Sequence, residues 1–179
     1  LLKYMLIFTI VGDRLGHCLF YEPAYYFSNP IKFLYVWEGG LASHGGAIGI
    51  LIGLYIYAKK IDKPYLWILD RIVVPVAIGG AFIRMGNLMN SEIYGQPTDL
   101  PWGFKFVRDY PIGTPIENIP ACHPTQIYEA LFCVAVFIYL IYAYYKQNMA
   151  ERRPGFMFGI FLIVVFGSRI MIEFIKNHQ

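Results

Sequence analysis

Arg84, Asn87, Asn90 and Glu92 fall in the run from Phe82 to Gly95, at the end of a membrane-length apolar stretch. Lipid penalises such groups, so ionisable residues in or beside a spanning segment point to a cavity or a partner. A guanidinium cannot lose its proton, and with amide side chains beside it, it suits an anionic oxygen such as a phosphate. The chemistry to expect is the handling of a charged headgroup at a membrane surface. If the helix continues, Arg84, Asn87 and Ser91 share one face, being three and four residues apart. A polar helix end capped by asparagine and solvated by water is the plainer reading. Arg84 lies several residues inside the apolar block, which favours function.

Other polar residues stand at similar places. Ser43-His44-Gly45-Gly46 opens a second apolar block. Glycines there let a lipid or another group approach the backbone, and a helix start offers free N–H groups to an anion. His44 taken alone reads equally well as an interfacial histidine. Arg169 and Glu173 are four residues apart and either serve a site or neutralise each other within the bundle; Asp13-Arg14 is similar. Gln126, Glu129 and Cys133 fall near one helical face, so Glu129 points inward if Gln126 does. Pro124 suits a first helical turn, which puts His123 near the cap, as a base or as a satisfied interfacial histidine. Asp70-Arg71 is expected to snorkel to the surface.

The elements that must position these residues are apolar helices. Hydrophobic residues make up 57% of the 179 and charged ones 15%, against about half and a quarter in soluble domains. Five apolar blocks, near 1–20, 42–58, 67–88, 124–145 and 155–175, each approach the roughly 20 residues that cross a bilayer core. The expected fold is an all-α integral membrane protein, a multi-span helical bundle with about five spans in one transmembrane domain. Lysines and arginines gather in the connections Lys59–Lys63 and Lys146–Pro154, which makes those cytoplasmic and the others outward-facing. The polar residues then collect at the outer face. The outward connection 89–123 is rich in Pro and Gly and is expected to be irregular, as a lid over a site or as a floppy loop. The sequence starts inside one apolar run and stops shortly after another, so a piece of a longer membrane protein is expected.

Other classes find little support. A net charge of +3 without a basic stripe gives no reason to expect nucleic acid. Cys18, Cys122 and Cys133 have neither a metal spacing nor a disulfide framework; no metal or cofactor is expected.

Several runs, in order, resemble the prolipoprotein diacylglyceryl transferase family of bacteria. They are Arg14-Leu15-Gly16 with Leu19-Phe20-Tyr21, then His44-Gly45-Gly46, then Arg84-Met85-Gly86-Asn87 with Asn90, Glu92 and Gly95. His123-Pro124-Thr125-Gln126-Ile127-Tyr128-Glu129 follows, and last Arg169 with Glu173-Phe174. Ile83, Cys122 and His17 depart from residues usual in that family, where glycine, arginine and tyrosine often stand. The resemblance implies seven spans, so that one is missing at each end here. It implies the bacterial cytoplasmic (inner) membrane, with the site toward the periplasmic face. The reaction implied moves diacylglyceryl from phosphatidylglycerol to the lipobox cysteine of a prolipoprotein signal peptide, with glycerol phosphate leaving.

On that resemblance His44, Arg84 and Arg169 are the expected catalytic residues. Arg14, Gly45, Gly46, Asn87, Asn90, Glu92, Gly95, His123, Gln126, Tyr128, Glu129 and Glu173 are expected to bind substrate. A thiol with a pKa near about 8.5 is mostly protonated at neutral pH and needs a base. An imidazole suits that task, and His44 is the first choice; hydrogen-bonding the phosphate is its alternative role. Glu92 is expected to orient a base or hold Arg84. A non-enzymatic anion or lipid transporter is the rival, but such proteins tend to show inverted repeats and sites near mid-membrane.

Overall fold

The computed structural model describes residues 1–176. Its helices are α1 (Leu2–Phe20), α2 (Pro23–Ser28), α3 (Ser43–Lys60), α4 (Tyr65–Asn90), α5 (Thr125–Tyr145), α6 (Met149–Arg152) and α7 (Phe156–Glu173). Each apolar block is thus a long helix, and no strand occurs among the described residues, only isolated backbone bridges. Local chemistry sets the ends. Lys59 and Lys60 close α3, where cations suit the negative end of the helix. Gly155, left-handed at φ +91°, starts α7. The helices α4, α5 and α7 are long and apolar enough to cross a membrane. Lys3, Asp13 and Arg14 dilute α1, and a polar start and two lysines dilute α3. This is an all-α membrane protein.

The chain divides into two compact units, residues 1–68 and 69–179. In the first, α1 and α3 run antiparallel along a seam of glycines. A Cβ on Gly45 would lie 2.1 Å from the Gly12 carbonyl oxygen, and one on Gly49 2.0 Å from that of Phe8. Gly16 meets Gly45 and Ala42 in the same way. Small residues at such spacing let helix backbones touch, which suits association in lipid, where hydrophobicity supplies no drive. The connection after α1 folds through α2 and two short 3-10 turns, Pro30–Leu34 and Val36–Glu38.

The second unit packs α4, α5, α6 and α7 around Val73, Ala77, Val136, Leu140, Ala150 and Met157. Asp70 is fully buried here, where snorkelling was expected. Its carboxylate accepts hydrogen bonds from the Gly155 N–H (2.7 Å) and the Phe158 N–H (2.8 Å). It therefore caps α7 from a neighbouring helix, satisfying donors that the first turn leaves open. Arg71 turns instead to Glu151 at 2.5 Å and lies over the Tyr144 ring.

The connection between α4 and α5 is irregular yet fastened. Gly95 N–H donates to the His123 carbonyl (2.8 Å), and Thr98 N–H to that of Ala121 (2.8 Å). Phe104 and Cys122 exchange a pair of backbone bonds, each 2.9 Å. Tyr94, Phe106 and Cys122 form a small core, with the two rings stacked at 4.4 Å. Burial and the Asp109 carboxylate that accepts its hydrogen bond push the Tyr94 phenol up. Burial alone pushes the Cys122 thiol up. Such a network does not describe a floppy loop.

Candidate active site

In the second unit, the last turns of α4 and the start of α5 assemble a charged chain. Arg84 Nε forms an ion pair with Glu129 Oε2. Arg84 Nη1 faces Asn87 Oδ1 at 3.4 Å, and Asn87 Nδ2 donates to Glu92 Oε2 at 3.1 Å. Glu92 was expected to orient a base or hold Arg84. Among the described residues Glu129 is the carboxylate that pairs with Arg84, and Glu92 reaches Arg84 through Asn87. Glu129 is 6% exposed, so its pairing with a fixed cation is what makes a carboxylate tolerable at that depth. A cleft of about 370 Å³ opens beside this chain, with Arg84, Asn87, Glu129, Cys133, Ser168 and Arg169 among its lining residues. Arg169 has no side-chain hydrogen bond or ion pair among the described residues, and its side chain is exposed. It does not neutralise Glu173. Glu173 lies instead 3.7 Å from Lys176.

The turn that presents this chain is held from α5. Ser91 and Ile93 are left-handed, at φ +59° and +60°, a conformation that side chains disfavour. Gln126 Nε2 donates to the Glu92 carbonyl (2.6 Å) and Thr125 Oγ1 to that of Ile93 (2.9 Å). Gln126, expected to bind substrate, is buried and serves as a clamp on this turn, though its Oε1 has no partner among the described residues. Gly95 is a close-packing position: a Cβ there would lie 2.7 Å from both His123 Cβ and the Ile175 carbonyl oxygen. His123 Nδ1 sits 3.3 Å from the Tyr128 hydroxyl, which accepts a hydrogen bond from Trp102 Nε1 at 2.9 Å. Asn90 is exposed and makes no side-chain bond among the described residues.

The first unit carries the other expected residues. Arg14 is buried, and four of its five N–H donors meet backbone carbonyls. They are those of Lys32 (2.6 Å), Phe33 (3.3 Å), Gly39 (2.5 Å) and Gly40 (3.2 Å), with the Tyr26 ring below. This guanidinium fastens the connection after α1, a structural use of most of its donors. Gly45 and Gly46 are buried, and the close approach expected of a lipid is made by α1 itself. At Gly46 the neighbour is the Asp13 carboxylate, 2.0 Å from a built Cβ. His44 is exposed at the start of α3 and has no hydrogen-bond partner among the described residues.

A family model described as prolipoprotein diacylglyceryl transferase matches residues 1–179. The chain belongs to the prolipoprotein diacylglyceryl transferase family. Among its relatives, a phosphatidylglycerol–prolipoprotein diacylglyceryl transferase of Porphyromonas gingivalis is 52% identical over 98% of this chain and 63% of its own length. Proteins of the same name from Tolumonas auensis and Chloroherpeton thalassium are 44% and 43% identical over the whole chain, covering 66% and 64% of theirs. The chain therefore spans less than two thirds of the length of these family members.

Sequence reasoning missed Lys176. It lies 3.8 Å from Glu129 Oε1 and lines a second cleft, of about 550 Å³, together with Arg169 and Glu173. Its spacing of three from Glu173 was the available signal. Cys133 lines the first cleft, half-buried, whereas Cys18 and Cys122 are buried.

Proposed function

We propose that the protein transfers the diacylglyceryl group of phosphatidylglycerol to the lipobox cysteine of a prolipoprotein. One observation carries this reading: two arginines, Arg84 and Arg169, line a single cleft, and Arg169 is without a protein partner among the described residues. Two permanent positive charges lining one cleft suit a phosphodiester. Glu129 and Asn87 hold Arg84 in place, while Asn87 and Asn90 offer amide groups to the ester and glycerol oxygens and Glu92 can accept only from a glycerol hydroxyl.

In the proposed reaction the cysteine sulfur, as thiolate, attacks the glyceryl carbon that bears the phosphate. The carbon–oxygen bond breaks and its electron pair leaves on the phosphate oxygen, giving glycerol phosphate and a thioether. His44 takes the thiol proton; an exposed imidazole at a helix start is accessible to an incoming peptide. Arg84 and Arg169 hold the phosphate through bond breaking. No cysteine of this chain is consumed. The charge bias of the connections supports a topology with 59–63 and 146–154 on the cytoplasmic side of a bacterial inner membrane and the arginine cleft toward the periplasm. In this reading all five long helices span.

The test is incubation of the full-length protein with labelled phosphatidylglycerol and a lipobox peptide. A peptide mass gain of one diacylglyceryl unit, with release of glycerol phosphate, is expected. Labelled lipid crossing the bilayer without a peptide adduct would instead identify a transporter.

A further inference from the structure

Glu129 is shared by two cations. One oxygen meets Arg84 Nε in a tight ion pair; the other faces Lys176 Nζ at 3.8 Å. Lys176 has a second carboxylate neighbour, Glu173 Oε2 at 3.7 Å, but that side chain is 64% exposed and well screened. Both distances are long beside the roughly 2.8 Å of a charge-assisted hydrogen bond. The ammonium is therefore loosely held, while its backbone is fixed: Gln96 N–H donates to the Ile175 carbonyl at 2.9 Å, and Lys176 bridges to Gly95. The Lys176 side chain is only 13% exposed. Arg169 lines both the cleft that Arg84 lines and the one that Lys176 borders.

Lys176 is thus a third cation beside the arginine cleft, mostly shielded from water and only loosely held by its carboxylate neighbours. The proposed reaction gives such a cation a task. Phosphatidylglycerol brings one negative charge on its phosphate. When the glyceryl carbon–oxygen bond breaks, the bonding pair stays on oxygen and the leaving glycerol phosphate carries two. Groups that act on charge present only in the transition state and product raise the rate, where groups that bind substrate equally well do not.

We propose that Lys176 is the cation that takes up the second negative charge on the departing phosphate, releasing its loose contacts to Glu129 and Glu173 to do so. Arg84 and Arg169 bind the first. Lys176 is thus a catalytic residue for leaving-group departure, and Glu129 keeps it close to Arg84 before substrate enters. The inference rests on the diacylglyceryl-transfer reading above.

Kinetics of the full-length protein in phosphatidylglycerol-containing nanodiscs, with a lipobox peptide, test it. Lys176→Gln is expected to lower kcat about a hundredfold, in the range seen for loss of one charge-stabilising donor, with KM for phosphatidylglycerol nearly unchanged. Lys176→Arg is expected to restore most of kcat. In the unaltered protein, glycerol phosphate is expected to slow acetylation of Lys176 as read by mass spectrometry, and glycerol to leave it unaffected. A raised KM with unchanged kcat would make Lys176 an ordinary substrate ligand, and unchanged constants would make it a structural ion pair; either overturns the proposal. So does acetylation that glycerol phosphate does not slow, a readout that needs no variant to fold. If the unaltered protein forms no thioether product at all, it is the transferase reading that fails.

Discussion

Replacing Gly45 with alanine tests the helix seam of the first unit. The new Cβ would lie 2.1 Å from the Gly12 carbonyl oxygen, with the Gly12 carbonyl carbon at 2.9 Å and Gly16 Cα at 2.9 Å. All three obstacles are backbone, so no side chain can rotate aside. Restoring van der Waals contact demands that α1 and α3 part by about 1 Å, which also loosens the Gly49 contact one turn away. Overpacking of this kind costs about 3 kcal/mol when the backbone itself must move. For a chain of this size that is a fall in melting midpoint of about 10 °C. Gly159→Ala is the control, because nothing lies within 4 Å of its built Cβ and alanine is the better helix former by about 1 kcal/mol. The assay is thermal unfolding of the full-length protein in detergent, followed by fluorescent labelling of Cys18, which is fully buried on α1. Equal midpoints for Gly45→Ala and Gly159→Ala would refute the seam and reopen Gly45 as a surface for lipid.

Two further outcomes follow from the second unit. Asp70→Ala removes both acceptors that cap α7 and is expected to cost about 3 kcal/mol, Asp70→Asn about half of that, read as melting midpoints; midpoints at the parent value would show the cap to be idle. Because burial raises the Cys122 thiol, the folded protein keeps that proton longer than the unfolded chain. Its contribution is then full below the unfolded value of about 8.5 and declines as pH rises beyond it. The midpoint gap between the parent and Cys122→Ala is expected to narrow from pH 7.5 to 10, and a gap that widens would contradict this.

The helical class was legible because apolar runs near 20 residues long have few alternatives once backbone groups must be satisfied within a bilayer. Partners across helices were not. Asp70 looked like a surface residue because the N–H groups it caps belong to Gly155 and Phe158, distant in sequence. Arg14 looked like a substrate ligand because sequence cannot show four carbonyls from a folded connection meeting one guanidinium. Gly45 and Gly46 signalled close approach correctly in kind, since small residues permit it, but the approaching group is α1. For Arg84, a position inside an apolar block was enough to mark it; the choice of Glu129 over Glu92 as its partner depends on how α5 lies against α4. Lys176 fell beyond the last apolar block and was overlooked for that reason.

The central claim is that Arg84 holds a phosphate during diacylglyceryl transfer. The most direct measurement is thioether formation on a lipobox peptide by full-length Arg84→Ala protein supplied with labelled phosphatidylglycerol, compared with the parent at equal membrane insertion and equal melting midpoint. The account predicts that the peptide gains no diacylglyceryl mass. A peptide lipidated at near the parent rate would contradict it.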